Sequence, residues 1–202
     1  MNTVETPINR THVHYSATRV NKAIHLVRDP FNNIVARHHL EYNNHKMVGN
    51  FTTQFPRNRL GFRAWCKDLD RRYHRKEDKT ELIPPEIKAY FDAVPCHSEF
   101  FRFAQWHNMA LQVTQKLHIP TLILYYEDYE DFEPTLESIL RFLELTKVGK
   151  ASPYISGKAY HSYYTNEEIT AAMELVKEVS TQQTWSLLRR YESKLRSQAL
   201  SF

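Results

Sequence analysis

The chain has 202 residues, 42% hydrophobic and 13% aromatic, and its 27 Lys and Arg against 23 Asp and Glu give a net charge of +4. That length suits one domain with a real core, and the composition excludes a disordered chain. The basic excess fits anionic ligands but is too small to diagnose nucleic-acid binding.

In chain order, residues 1–21 are polar and show no clear periodicity, apart from a short alternation from Val13 to Tyr15 that follows Arg10-Thr11-His12. The start, MNTVETPINRTH, has no signal-peptide core, so a chain complete as written is expected to be soluble. Ala23 to Val27 is a short apolar run, read as a buried strand. It turns at Arg28-Asp29-Pro30 into helical spacing, with Phe31, Ile34 and Val35 recurring on one side. Asp29 can cap that helix, and Pro30 suits its first position because the amide hydrogen it lacks needs no partner there. Helix-start amides attract anions, and the Arg28 guanidinium offers a planar fork of donors suited to phosphate. Two readings stay open: a phosphate-binding corner, or an arginine that pairs with Asp29 or caps a neighbouring element.

Residues 41–56 read as a loop or irregular crossing. From Arg57 to Lys79 the spacing is helical and strongly basic. Leu60, Ala64, Leu69 and Tyr73, with Phe62, Trp65 and Cys66 nearby, form its expected buried stripe. Arg63, Lys67, Arg71, Arg72, Arg75 and Lys76 lie outside it. They make either a solvated charged face or a dock for an acidic glycan or peptide.

After Pro84-Pro85, a short helix is expected over Glu86 to Ala93 and a long one over Glu99 to Leu117, with Phe103, Trp106, Ala110, Val113 and Leu117 as its core stripe. Thr121 to Tyr126 is the second strand, followed by the acidic turn Glu127 to Asp131. Helices are predicted from Pro134 to Leu145, from Thr165 (a capping box with Glu168) to Val179, and from Thr184 to Gln198. The order reads as α/β with a parallel sheet flanked by helices and a helix-rich C-terminal part. Two strong strands are few for such a sheet.

The chemical motifs are mostly negative. Gly149-Lys150 and Gly157-Lys158 lack the rest of a phosphate loop, and no GxGxxG or G-x-S-x-G occurs. Eleven scattered histidines give no zinc spacing, so no metal is expected. Cys66 and Cys96 can pair or stay free. No apolar run reaches membrane-spanning length.

In order and spacing, Ile24 to Ala36 (IHLVRDPFNNIVA), Trp106, Leu122 to Tyr129 (LILYYEDY) and Ile139 to Leu145 (ILRFLEL) resemble sulfotransferases that use 3′-phosphoadenosine 5′-phosphosulfate (PAPS). Arg10-Thr11-His12 is similar to that family's Lys-Thr-His segment, and Phe31 and Ala36 look most like the WSC-domain-containing, Golgi-type branch. The resemblance covers roughly residues 8–190. It implies a single sulfotransferase-like domain over 1–202 with a three-layer P-loop-type sheet. Its reaction is sulfuryl transfer from PAPS to a hydroxyl of a carbohydrate or protein acceptor, without metal. His12 takes the role of general base, Arg10 stands near the transferred group, and Arg28 holds the 3′-phosphate. Lys158 and Tyr160 lie in the loop that closes over the nucleotide.

Two departures follow. Ala36 stands where many members have a phosphate-binding serine. The family's first strand and its 5′-phosphosulfate loop should precede Arg10, where this sequence has nine residues. The chain is therefore expected to be an N-terminally truncated fragment with an incomplete active site. A Golgi membrane is implied for a full-length relative of that branch. The rival reading is a non-catalytic module of the same fold that holds an acidic glycan or a protein partner. A nucleic-acid binder is suggested only by the isoelectric point near 9.0 and the basic run, and none is expected.

Overall fold

The computed structural model describes residues 20–45, 49–76, 84–150 and 159–199. β1 (Ala23–Val27) leads into α1 (Pro30–Asn44). The helix begins as its sequence dictates: Asp29 Oδ1 accepts the amide hydrogens of Phe31 and Asn32 at 2.9 and 3.0 Å, and Pro30 occupies the first turn. α1 continues through residues read as loop. Glu41 sustains it, since its carboxylate pairs with Arg37 one turn back and accepts from Trp65 Nε1 at 2.9 Å.

The order continues with α2 (Phe51–Gln54), α3 (Arg59–Lys76), α4 (Pro85–Lys88), α5 (His97–Lys116), β2 (Thr121–Tyr125), α6 (Phe132–Leu143), α7 (Asn166–Val179) and α8 (Gln182–Ala199). Short 3-10 turns cover Phe91–Ala93, Tyr126–Glu130 and His161–Tyr163. The protein is thus helix-rich with a small parallel sheet, compatible with α/β. Two compact units share it, one drawn from 1–28 and 109–157, the other from 29–108 and 158–202.

The first unit holds the sheet, which has two strands among the described residues. β1 and β2 run parallel in the register Ala23↔Thr121 through Val27↔Tyr125. Parallel neighbours require a long crossover, and the helices between them in sequence supply it. Strand side chains alternate between faces. His25 and Val27 are buried, while Ile24 and Leu26 on the other face are 41% and 43% exposed. The strand, read from sequence as buried, is thus buried on one face. After β2, Thr135 Oγ1 donates to the Asp128 carbonyl at 2.8 Å, which fixes the start of α6 against the acidic turn.

The second unit is built on aromatic rings. Phe31 meets Phe100 and Tyr164 edge to face at 5.2 and 5.1 Å, and Phe62, Trp65, Leu175, Leu188 and Tyr191 are almost fully buried. In α3 the buried stripe is Phe62, Trp65, Cys66, Leu69 and Tyr73. Leu60, expected inside, is 80% exposed, and Ala64 is exposed as well. Gly61 takes the inward place instead. Its amide donates to Asn58 Oδ1 at 2.9 Å, and a Cβ there would collide with the Pro56 carbonyl, so the entry to the helix sits against backbone.

The core stripe of α5 is also displaced from the expected one. Phe100, Ala104, His107, Leu111 and Thr114 are buried, while Trp106 is 41% exposed. α5 carries apolar residues on more than one face, so spacing alone does not choose the buried face. Polar partners help to choose it. Glu99, 4% exposed, pairs with Arg37 and Arg102, and Asp70 Oδ1 accepts from the Ser98 amide and hydroxyl at 3.1 and 2.7 Å. Burial pushes the Glu99 carboxyl up, although both guanidinium groups pull it down.

Cys66 in α3 and Cys96 ahead of α5 form a disulfide, with Cα atoms 4.5 Å apart. The bond closes a loop of 30 residues, worth about 2–4 kcal/mol to a fold that can form it. The capping box of α7 is present: Thr165 Oγ1 accepts the Glu168 amide, and Glu168 accepts the Thr165 amide at 2.7 Å. Among the described residues, no helix is long and apolar enough to cross a membrane.

Candidate functional site

In the first unit the site centres on Arg28. The ladder ends with Val27 beside Tyr125, so the next residue of each strand leaves the sheet at the same level. Arg28 accordingly stacks on Tyr126, its guanidinium carbon 4.2 Å from the ring centroid. Such a contact contributes about 0.5–2 kcal/mol and steadies the guanidinium without neutralising it. Arg28 Nε is buried and has no hydrogen-bond partner among the described residues. Leaving a buried donor unpaired costs about 1–3 kcal/mol, more for a charged group. A charged fork held by an aromatic face with an unused donor is suited chemically to an oxyanion.

In the second unit the start of α1 is organised by its own carboxylate. Asp29 Oδ1 takes the first free amides of the helix, and Oδ2 lies 3.0 Å from His161 Nε2, which must carry the proton to donate. The Asp29 carboxylate is thus engaged by helix amides and an imidazole. Those amides, expected to attract an external anion, serve the cap instead. The residues around His161 lie along the helix. The Tyr160 amide donates to Asn32 Oδ1 at 2.7 Å, and His39 Nε2 lies 3.1 Å from the Tyr163 hydroxyl. The Tyr160 ring stands edge-on to His39 at 4.9 Å. Burial pushes the Tyr163 hydroxyl up, and the neighbouring Tyr160 adds to it.

Of the site residues expected from sequence, Arg28 and Tyr160 are described, in the first and second unit respectively. Arg10, His12 and Lys158 lie outside the described residues. Ala36 sits half-buried in α1. Sequence reasoning missed Tyr126 as the platform for Arg28, although the strand register would have indicated it. It also missed His161, which pairs with Asp29 across 132 positions of sequence and has no local signal. Among the described residues, no three His, Cys, Asp or Glu side chains converge as metal ligands. No protein-family model, no curated protein and no solved structure matches the chain.

Proposed function

We propose that this chain is a sulfotransferase-type domain of three-layer P-loop architecture, which binds PAPS and passes its sulfuryl group to a hydroxyl of a carbohydrate or protein acceptor. The observation that carries this reading is Arg28: a half-buried guanidinium at the end of a parallel strand, backed by Tyr126, whose buried Nε has no hydrogen-bond partner among the described residues. That arrangement suits the 3′-phosphate of the nucleotide. The parallel pairing of the two strands that lead into the R-D-P and Y-E-D residues supports the same reading.

In the proposed reaction the acceptor oxygen forms a bond to sulfur as the bond from sulfur to the 5′-phosphate oxygen breaks. His12 takes the acceptor proton, a task fitted to a neutral imidazole near pH 7. Arg10 stabilises negative charge beside the transferred group. The resemblance assigns Lys158 and Tyr160 to the loop that covers the nucleotide; within the second unit the Tyr160 amide donates to Asn32 of α1. Ala36 contributes no hydroxyl, so Arg28 carries more of the phosphate binding than in a serine-bearing relative. The Cys66–Cys96 disulfide fits a protein of the secretory lumen, as the Golgi-type resemblance implies.

The test is calorimetric titration with 3′-phosphoadenosine 5′-phosphate. Binding is expected, falling at least tenfold in Arg28→Ala and less in Arg28→Lys, which keeps the charge without the fork. A wild-type chain that binds nothing at millimolar nucleotide overturns the reading.

A further inference from the structure

The basic charge of this protein is not spread over its surface. α3 carries seven basic residues (Arg59, Arg63, Lys67, Arg71, Arg72, Arg75 and Lys76) against Asp68 and Asp70, an excess of five. The whole chain carries +4, so everything outside α3 sums to −1. Within the helix the charges are sorted further. Phe62, Trp65, Cys66, Leu69 and Tyr73 face the core. Lys67, Arg71 and Arg75 follow one another at steps of four on the opposite side and are exposed, with about 6 Å of helix rise between successive members. Arg72 flanks them. Arg71 and Arg72 share one carboxylate, Asp68. Lys67 and Arg75 have no ion pair with a carboxylate among the described residues, whereas Arg63 is engaged by Glu168 and Arg59 acts on the same carboxylate.

A row of cations that the chain's own acids offset only in part, with one carboxylate shared by Arg71 and Arg72, fits a linear polyanion. Three such partners are available in general, and the structure separates them. Single-stranded nucleic acid is gripped by aromatic platforms beside the charges. The aromatic side chains Phe62, Trp65 and Tyr73 of α3 all point into the core. Anionic lipid is concentrated on the cytoplasmic leaflet. The Cys66–Cys96 disulfide, which begins on α3 itself, belongs to an oxidising compartment on the other side of the membrane. The polyanions met there are carboxylated and sulfated polysaccharides.

We propose that the outer face of α3, centred on Lys67, Arg71 and Arg75, is a docking surface for a linear acidic polysaccharide. The surface lies within the second unit and does not depend on nucleotide binding. Its failure is therefore distinguishable from failure of the transferase reading, because the same protein can be titrated separately with 3′-phosphoadenosine 5′-phosphate.

The experiment is calorimetric titration of the oxidised full chain with a heparin octasaccharide, repeated over a series of salt concentrations. Binding is expected to weaken steadily with salt, as it does whenever counterions are released. The charge reversal Lys67→Glu with Arg75→Glu is expected to raise Kd at least tenfold, and the milder Lys67→Gln with Arg75→Gln to raise it severalfold. Lys147→Glu, an exposed cation of the first unit, leaves Kd unchanged. Circular dichroism confirms that each variant is folded. The proposal is overturned if the octasaccharide does not bind. It also fails if the folded Lys67/Arg75 variants bind as the wild type does, or if Lys147→Glu weakens binding equally. Tighter binding of a single-stranded DNA of matched charge through the same residues would replace the polysaccharide with nucleic acid.

Discussion

The two units bury their apolar side chains very differently. The second is closed around interlocked rings, with Phe31, Phe62, Trp65 and Phe100 at 0% exposure, and is tied by a disulfide. In the first, β1 leaves Ile24 and Leu26 more than 40% exposed, and the apolar stripe of α6 (Leu136, Ile139, Leu140 and Leu143) is only half-buried. Burial is what offsets chain entropy, so the second unit should carry most of the stability. The first has the candidate Arg28 site on a thinner foundation. Its sheet has two strands among the described residues, a size that is marginal by itself, and parallel sheets are ordinarily covered on both faces.

The largest expected effect lies in the second unit. Trp65→Ala removes a fully buried ring and leaves Glu41 without its indole donor. A loss of about 3–5 kcal/mol is expected in denaturant unfolding. A loss below about 1 kcal/mol would mean that the ring core is not what holds this unit.

A second effect is the response to acid. Burial lowers His97 below its ordinary value, with His74 acting in the same direction and Asp70 opposing both. The imidazole sits in a defined setting: Nδ1 faces the Phe91 carbonyl at 3.1 Å, and Nε2 lies 3.1 Å from His74 Nε2. A lowered folded value means that the unfolded chain takes the proton first. The contribution of His97 is thus complete above about pH 6.5 and is lost as pH falls through the folded value. His25 and His38, also lowered by burial, act in the same sense. Glu99 acts in the opposite sense, because its raised value lets the folded state bind the proton first. One proton taken up on unfolding changes stability by at most about 1.4 kcal/mol per pH unit. His97→Gln should therefore flatten the acid limb of stability as pH falls below about 6.5. An unchanged slope would remove His97 from that account.

Legibility in the sequence followed the same division. The junction at Arg28-Asp29-Pro30 and the capping box at Thr165 were readable because a cap is local: donor and acceptor lie within three residues. The faces of α3 and α5 were not. Leu60 and Ala64 have the spacing for the core, yet Gly61 takes the close approach to Pro56 and turns them outward. In α5 the buried side is fixed partly by Glu99 and Ser98, polar residues whose partners Arg37 and Asp70 come from far along the chain. The disulfide was one of two open outcomes, since two cysteines carry no geometry. The Arg28 site was half legible. The strand order gave the arginine, but its support by Tyr126 needed the parallel register, and the pairing of Asp29 with His161 needed the fold.

The smallest expected effect sharpens the contrast most. Leu26→Ala in β1 removes a side chain of the size that costs about 2–5 kcal/mol when deleted from a packed core. Leu26 is 43% exposed, so much of its surface is already in contact with water and solvent can fill the space it leaves. The transfer term shrinks in proportion to the area concerned, and the cavity term largely disappears. A loss of about 1 kcal/mol or less is therefore expected, measured by the same denaturant unfolding as Trp65→Ala. A loss as large as that of Trp65→Ala would show that this face of β1 is covered in solution. In that case the first unit, and the Arg28 site with it, would be completed by something that packs on Ile24 and Leu26.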